Sequence, residues 1–297
     1  MKNKEDVDMQ TNRSLRLSAD TFLELKQVFV NKGWEIPDEN AGMESRFNRF
    51  CERLSMFSRA EQQLIIELTQ RFVKIDGNDY LQILIKLLEK ICSERNEIFR
   101  DVEKLYVFPL VAPQDIGKTK SSSCVWYYFR DERIKFSPLF RDKELIYCDI
   151  LKISWAKNTK PKERIILLDD YIGSGETAVA ALKWLCDENS IAVDKIIVLS
   201  IAAQELGIKH IQKELGANVF SYYIFERGIS DYYQGDSLAT KTAEMKKIEE
   251  ILAVEKDNLF GYNKSEALIS LIRTPNNTFP VFWKKYQKNK IVPFPRG

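Results

Sequence analysis

Residues 164–182 carry the most chemically informative spacing in the 297-residue sequence, RIILLDDYIGSGETAVAAL. Four apolar residues typical of a buried strand precede two adjacent carboxylates, Asp169 and Asp170. A short loop of glycines and hydroxyl residues follows from Gly173 to Thr177, and the apolar spacing after it predicts a helix. The segment therefore predicts a strand, a polar loop and a helix in direct succession.

The loop of this segment has the residue types of an anion site. In an open α/β sheet, ligands bind beyond the carboxyl ends of the strands, where this loop must lie. A helix N-terminus offers unsatisfied amides and the positive end of its dipole. Glycines let the backbone close around an anion, and hydroxyl groups add donors. We therefore expect a phosphate to bind Gly173, Ser174, Gly175, Glu176 and Thr177.

The two carboxylates need a different explanation, because they would repel that phosphate. Carboxylates accept hydrogen bonds from vicinal hydroxyls, such as those of a ribose, and contribute to divalent-cation sites. A site with hydrogen-bond donors for a phosphate beside acceptors for a diol fits a sugar phosphate. Adjacent aspartates at a strand end are also common as turn or cap chemistry. For Asp169 and Asp170 the sequence leaves both interpretations open.

The whole segment resembles the diphosphoribosyl-binding motif of the type I phosphoribosyltransferases: an apolar strand, two acidic residues, three spacers, Thr/Ser-Gly, one residue and Thr. The resemblance implies an α/β fold with a central parallel sheet, phosphoribosyl diphosphate or a related nucleotide as ligand, and Mg²⁺ as cofactor. Asp169 and Asp170 would hold the ribose hydroxyls as catalytic residues, and Gly173–Thr177 would cradle the 5-phosphate. Residues 199–216, LSIAAQELGIKHIQKELG, resemble the family's next strand and turn.

A second candidate phosphate loop lies upstream, in LYVFPLVAPQDIGKTKSSS at residues 105–123. It occupies the place of the family's first core strand and pyrophosphate loop, where Lys118, Lys120 and Ser121 would meet a diphosphate leaving group beside Mg²⁺. Residues 112–119 also resemble a relaxed P-loop, which requires its Gly-Lys-Thr to open a helix. The aromatic run CVWYYF at residues 124–129 predicts a strand instead, which favours the pyrophosphate loop. A solvated surface loop remains the third interpretation.

The segment departs from the motif at two positions. Purine-salvage members commonly carry an acidic base at the position of Gly173, so a purine acceptor is not favoured. Glu176 stands where a glycine is frequent, and residues 225–260 show no base-recognition hood. The C-terminal GYNKSEALISLIRTPNNTFPVFW and PFPR resemble the divergent conflict-associated branch of the family, PRTase-CE, found in bacterial defence loci. That resemblance implies an effector held in check by a partner.

The elements that must position the site fall into two predicted domains. Residues 1–104 predict a disordered tail and a helical region, which is the expected site of a protein partner; Ser58 and Glu61 form a capping box there. Residues 105–297 predict the α/β domain with a C-terminal extension, in which strands and helices alternate as in a parallel sheet. The predicted strands are 165–168, 195–201, 219–225, 267–272 and 279–283, and the predicted helices 175–189, 204–215 and 237–253.

Composition excludes several classes of function. With 45 basic and 43 acidic residues the net charge is +2, which gives no overall attraction to nucleic acid or membranes. Five scattered cysteines without a Cys-x-x-Cys pair predict reduced thiols, and no secretory signal or membrane span is visible, so we expect a cytoplasmic protein.

His210, the single histidine, is expected to be a surface or packing residue. Tyr232 and Tyr233 have two interpretations, packing or stacking on a base. A catalytically inactive nucleotide sensor on the same fold is the alternative function.

Overall fold

The computed structural model describes residues 17–37, 45–149, 159–286 and 292–296. The predicted disordered tail, residues 1–14, lies outside these ranges. In these ranges the α-helices are α1 (Ala19–Asn31), α2 (Arg46–Leu54), α3 (Arg59–Arg71), α4 (Tyr80–Glu94), α5 (Ser122–Tyr128), α6 (Glu132–Lys135), α7 (Glu176–Lys183), α8 (Glu205–Leu215) and α9 (Gly235–Ile251). The strands are β1 (Val73–Lys74), β2 (Lys104–Pro109), β3 (Glu144–Tyr147), β4 (Glu163–Ile172), β5 (Ile196–Gln204), β6 (Asn218–Phe225) and β7 (Ile269–Ser270).

Strands β2 to β6 form one parallel sheet in the order β3-β2-β4-β5-β6. Every residue of β5 is buried, as expected for a central strand covered on both faces. The predicted α/β fold with a central parallel sheet and an N-terminal helical region is confirmed. Within the described ranges, no helix combines the length and apolar character needed to cross a membrane.

The chain divides into two compact units, which we call the helical unit and the sheet unit. The helical unit consists of Met1–Val73, Gly228–Ser270 and Thr278–Gly297. The sheet unit consists of Lys74–Arg227 together with a short returning segment, Leu271–Asn277. These units are defined by packing and consist of discontinuous segments, so they do not test the predicted domains. The division into residues 1–104 and 105–297 stays a prediction.

The helical unit is built on an aromatic core. Phe72 and Phe294 stack with ring centroids 4.4 Å apart, and Phe50 packs edge-on against Phe29 and Phe294. Rings in these geometries add attraction beyond the area that they bury. The predicted capping box is present at the start of α3, where the Ser58 amide donates to the Glu61 carboxylate at 2.7 Å. These contacts explain why the N-terminal helices fold as one core.

The GYNKSEA sequence forms a turn within the helical unit that is exposed at Asn263 and Lys264 and buried from Ser265 onward. Phe260, Gly261, Asn263 and Glu266 all have positive φ, and the Glu266 carboxylate accepts from the amides of Ile229 and Ser230. Burial of this carboxylate is offset by those hydrogen bonds. The motif that carries the family resemblance therefore has a structural role here, holding the turn to the chain at residues 229–230.

A second buried carboxylate, Glu249 on α9, supports the same turn. It is fully buried and accepts from the amide of Phe260 at 2.8 Å. Burial, with a smaller contribution from the charge of Glu266, raises the pKa of Glu249 to about 8. The native state therefore binds a proton on Glu249 that the unfolded chain releases at lower pH.

Two predicted strands are wrong. Residues 124–128 lie in helix α5 and Phe129 is its C-cap, because Ser122, Val125 and Phe129 are buried at helical spacing while Tyr127 is 70% exposed. Packing on the sheet thus overrides the β-propensity of the aromatic run. Residues 279–283 contain a 3₁₀ turn, Pro280–Phe282, because the proline fixes its φ and lacks an amide for a ladder.

Strand β4 is longer than the predicted 165–168. It continues through both aspartates to Ile172, because β5 continues beside it and pairs Tyr171 with Ala202 and Ile172 with Ala203. Helix α7 is shorter than the predicted 175–189, since its last turn becomes a π-helix at Trp184–Glu188. The acidic pair therefore lies within strand β4 rather than directly after it.

We expect Phe50→Ala to lower the free energy of unfolding by roughly 3–5 kcal/mol, because it removes a fully buried ring from the aromatic core. Urea unfolding followed by circular dichroism measures the change. Phe22→Ala is the matched control, since Phe22 is 42% exposed. Equal losses in the two variants would contradict the described core.

We expect the wild type to lose stability as pH rises from about 5 to about 8, relative to Glu249→Gln. The folded pKa lies above the ordinary value of 4.5, so the stabilising proton is fully bound at low pH and lost through that range. Each pKa unit corresponds to about 1.4 kcal/mol. Urea unfolding at several pH values measures the difference, and exposed Glu250→Gln is the control. A pH-independent difference would show that Glu249 does not titrate in this range.

Candidate active site

The candidate active site lies at the carboxyl ends of β2 and β4, two adjacent strands of the sheet. From β2 the chain continues to β3 on one side, and from β3 it crosses to β4 on the other side of β2. Ligands of open α/β sheets bind at such reversal points, where the loops on the two sides diverge. The loops that leave these strand ends are residues 110–121 and 173–175, the two loops singled out from the sequence.

Gly173, Ser174 and Gly175 form a tight loop between β4 and α7. Gly175 is the N-cap of α7 with φ of +82°, a conformation that favours glycine. The first intrahelical bond runs from the amide of Val179 to the carbonyl of Gly175. Amides earlier in the first turn of a helix have no acceptor within the helix, so they can bind an anion. Glu176 and Thr177, also in that turn, have exposed side chains.

Helix α8 packs directly against this loop through Gly207. A Cβ on Gly175 would lie 2.7 Å from the carbonyl oxygen of Gly207. A Cβ on Gly207 would overlap the carbonyl oxygen of Gly173 and lie 3.1 Å from the amide nitrogen of Gly175. Glycine at 207 is therefore required for the close approach, which brings the first turns of α7 and α8 to the same loop.

His210, three residues after Gly207 on α8, contacts the same loop. Its Nδ1 atom lies 3.0 Å from the carbonyl oxygen of Ser174. A carbonyl oxygen only accepts, so Nδ1 carries the proton in this contact. The histidine, expected to be a surface or packing residue, thus positions the backbone of the candidate phosphate loop.

Asp169 and Asp170 are both buried, with 9% and 6% of their surface exposed. The amide of Asp170 donates to Asp169 Oδ1 at 2.9 Å, and the two carboxyl groups share a hydrogen bond. Burial raises the pKa of Asp169 well above its ordinary value, and the charge of Asp170 raises it further. Burial also raises the pKa of Asp170. The pair as a whole therefore holds a proton to higher pH than isolated aspartates do.

Ser121 links the acidic pair to the loop after β2. Its hydroxyl donates to Asp170 Oδ1 at 2.6 Å, although Ser121 itself is exposed to solvent. This hydrogen bond lowers the pKa of Asp170 against the effect of burial. The carboxylate of Asp170 thus lies next to the open edge of the site, where a hydroxyl group of a ligand can replace or join that of Ser121.

Lys118 and Lys120 lie on the same loop but are ion-paired with Asp115. The Nζ atoms of Lys118 and Lys120 lie 2.9 Å and 2.6 Å from its two carboxylate oxygens. These charge-assisted hydrogen bonds, mainly the one from Lys120, lower the pKa of Asp115. The structure therefore places both lysines on the predicted pyrophosphate loop, with part of their charge neutralised.

The strand predicted after the lysine, which argues against a P-loop, is wrong. Helix α5 follows, but it begins at Ser122, four residues after Lys118. The lysine contacts Asp115 within its own loop, and Gly117 is the only loop residue from Ala112 to Lys120 with positive φ. A P-loop opens its helix at the Gly-Lys-Thr itself. The loop therefore lacks that geometry for a different reason from the one expected.

The residues of the site fit a magnesium ion only together with a phosphorylated ligand. Among the described residues, no three His, Cys, Asp or Glu side chains are grouped to hold a metal. Mg²⁺ commonly binds one or two carboxylates and completes its shell with waters and substrate phosphates. Asp169 and Asp170 provide such a pair, and burial raises the pKa of both carboxyl groups.

Other residues at the site were missed or misjudged from the sequence. Tyr80 of α4 is fully buried, and the nearby charge of Asp170 adds to the effect of burial in raising its pKa. Asn277 lies against Gly173, where a Cβ would overlap its carboxamide. Neither residue has a local sequence signal, because both reach the site from distant segments.

Tyr232 and Tyr233 pack on Arg71 within the helical unit, with the guanidinium 3.7 Å from the Tyr232 ring centre.

We expect Gly207→Ala to weaken the binding of ribose 5-phosphate and to lower the free energy of unfolding by roughly 1–3 kcal/mol, because the methyl group forces α8 from the loop. Titration calorimetry and urea unfolding measure the two effects. Gly216→Ala is the control: its φ is +68° and a Cβ meets no atom, so it strains the backbone without touching the loop. Equal affinities in the two variants would show that the α8 contact does not shape the anion site.

Comparisons with known proteins assign the chain to a family. Comparison with curated proteins finds no similar sequence. Two solved structures share weak similarity with this chain. One is the APRTase from Giardia lamblia complexed with 9-deazaadenine, at 13% identity over 50% of this chain and 84% of that chain, with a TM-score of 0.30. The other is a hypoxanthine-guanine-xanthine phosphoribosyltransferase, at 11% identity over 50% of this chain and 76% of that chain, with a TM-score of 0.25. The family model PRTase-CE matches residues 50–295, so the chain belongs to the PRTase-CE family of phosphoribosyltransferase-like proteins.

Proposed function

We propose that this protein binds phosphoribosyl diphosphate or a related ribose 5-phosphate nucleotide and acts at C1 of the ribose. One observation carries the proposal. The acidic pair, the anion loop and the start of α7 follow one another without a break at the switch point of the sheet. A ligand that spans them needs a phosphate at one end and a diol a few ångströms away, which is the shape of a ribose 5-phosphate.

In this proposal each group of residues has a separate task. The amides of the first turn of α7 and the Ser174 hydroxyl bind the 5-phosphate, and His210 and Gly207 keep the loop in place. Asp170, at the open edge, accepts a hydrogen bond from a ribose hydroxyl, while Asp169 shares a hydrogen bond with Asp170. The protein therefore contributes mainly by positioning the ribose and by fixed electrostatics.

The chemistry at C1 is a substitution. The bond from C1 to the leaving group breaks with its electron pair going to the leaving group, through an oxocarbenium-like transition state. Water or another nucleophile forms the new bond and gives up a proton. In this proposal Lys118 and Lys120, which both pair with Asp115, neutralise part of the charge of the departing diphosphate. Mg²⁺, when bound with the diphosphate, would neutralise its charge.

A sensing module on the same fold is the second candidate function. The observation that favours it is the environment of Gly173, which has no side chain and is covered by the uncharged carboxamide of Asn277. A carboxamide does not abstract protons at neutral pH, so this part of the site offers no general base. A protein that only recognises its nucleotide needs none.

The biological role that we propose follows from the family. Members of this branch occur in bacterial conflict and defence loci, and the match covers residues 50–295. We propose that the protein is a nucleotide-directed effector or sensor of an anti-phage system, and that a protein partner binds the N-terminal helices α1 to α3. The cytoplasm is the compartment in which such a system meets nucleotides.

We expect the wild type to release pyrophosphate from isotope-labelled phosphoribosyl diphosphate in the presence of Mg²⁺. The double variant Asp169→Asn/Asp170→Asn should lose at least roughly a hundredfold in rate, because it removes the charge that orients the ribose. Chromatographic separation of labelled products measures the release. Asp187→Asn, an exposed carboxylate after α7, is the control.

The same assay separates the two candidate functions. Wild-type protein that binds the compound by calorimetry but leaves it intact supports the sensor. Pyrophosphate release that is unchanged in the double variant would show that Asp169 and Asp170 are not part of the active site. Failure to bind either phosphoribosyl diphosphate or ribose 5-phosphate would overturn both functions.

A further inference from the structure

The sheet unit contains a cavity of about 530 Å³ that is separate from the candidate active site. One wall is α4 from Ile85 to Ser93, and the other is the segment from Arg133 to Leu139, within and after α6. None of the described residues that line it belongs to the acidic pair, the anion loop or the loop after β2. Its volume lies in the range of sites that bind small organic molecules.

Helix α4 has an apolar stripe at this cavity in addition to the face that it buries in the core. The core face includes Leu87 and Ile91, which are buried. Ile85, Leu88 and Cys92 recur at spacings of three and four residues, so they share a second face of the helix. Leu88 is buried, whereas Ile85 and Cys92 are only half-buried. A surface helix usually has one apolar stripe, so the second stripe of α4 is available to a molecule in the cavity.

The opposite wall of the cavity is also apolar. Leu139 is buried, but Phe136 is 65% exposed and Pro138 is exposed as well. Exposed apolar side chains grouped on a concave surface mark binding sites. An apolar group that lies between the two walls removes the exposed surface of Ile85 and Phe136 from water, which stabilises the complex.

Two charged side chains line the cavity, and only one of them is neutralised by another part of the chain. The Arg133 guanidinium donates two hydrogen bonds to Asp131, from Nε to Oδ1 at 2.9 Å and from Nη2 to Oδ2 at 3.1 Å. Glu89 is exposed and has no ion pair within the described part of the chain. Lys86 and Lys90, its neighbours on α4, do not line the cavity. The lining therefore carries one uncompensated negative charge.

We infer that this cavity is a binding site for a small organic cation with an apolar body, such as a primary amine on an aromatic or branched aliphatic group. The apolar body lies between α4 and Phe136, and the ammonium group lies at the Glu89 carboxylate. An anion of the same shape is disfavoured, since Asp131 already holds Arg133, the one cation among the described residues of the lining. The inference goes beyond the proposed function, because the two sites share no residue.

Three compounds with the same apolar body and different charges test the inference: phenylbutylamine, phenylbutanol and phenylbutyrate, each with its functional group at the chain end. Ligand-detected NMR titrations on the full chain measure the affinities. We expect the amine to bind roughly threefold more tightly than the alcohol, as for one solvent-exposed ion pair, and the acid to bind most weakly. Glu89→Gln should bring the affinity of the amine to that of the alcohol. Glu94→Gln, an exposed carboxylate of α4 outside the cavity, is the control and should keep the preference.

The Cys92 thiol in the cavity wall shows where the compounds bind. Labelling of the full chain with N-ethylmaleimide, followed by peptide mass spectrometry, gives the alkylation rate of each cysteine. A saturating concentration of the amine should slow the labelling of Cys92 severalfold, because the bound compound covers the thiol. Cys186, which is also half-buried but lies outside the cavity, is the internal control and should keep its rate. Cys92→Phe fills part of the cavity and should weaken the binding of all three compounds.

Three results would overturn the inference: none of the compounds binds, the acid binds as tightly as the amine, or the preference for the amine survives Glu89→Gln. Labelling of Cys92 that a saturating amine does not slow would place the compounds elsewhere and overturn it too. If Cys92→Phe does not fold by circular dichroism, the labelling of the wild type still decides. Each of these results leaves the proposed function standing, because that function is tested with phosphoribosyl diphosphate and ribose 5-phosphate at other residues.

Discussion

Backbone packed directly on backbone sets the geometry of the candidate site. Gly207 of α8 contacts the carbonyl of Gly173 and the peptide of Gly175, and no side chain larger than hydrogen fits between them. The contact brings the N-terminal turns of two helices to one loop, so both dipoles point their positive ends at the same region. Without that approach the loop would still carry its hydroxyls, but a bound anion would meet the field of a single helix.

The acidic pair would repel the anion that this loop is suited to bind, and its charge is costly to bury. Desolvation raises the pKa of both aspartates, and their stabilisation comes from a shared hydrogen bond, the Asp170 amide and the Ser121 hydroxyl. Replacing a buried charged pair by apolar residues is often neutral or stabilising, so a pair at the end of a central strand calls for a reason other than stability. Local rules broken at one place in an otherwise consistent fold mark a functional site. A diol and a cation are the partners that would compensate the charge.

Sequence patterns predicted the parallel sheet and the order of strand, acidic pair, loop and helix, because apolar periodicity and glycine spacing are local signals. They failed where packing decides. The run at residues 124–129 has strand propensity, yet burial of Val125 and Phe129 on one side makes it helix α5. The roles of Tyr80, His210 and Asn277 were not predictable either, since each depends on a contact between segments 36 or more residues apart, as between His210 and Ser174. Only the fold brings such residues together.

The segment Leu271–Asn277 shows how residues far along the chain become part of the sheet unit. Its two ends are fixed at the base, where the Thr278 hydroxyl donates to the carbonyl of Ile269 at 2.6 Å and residues 267 and 278 form a bridge. A loop with joined ends has few conformations to lose when it orders. Its seven residues therefore hold Asn277 against Gly173 at low entropic cost.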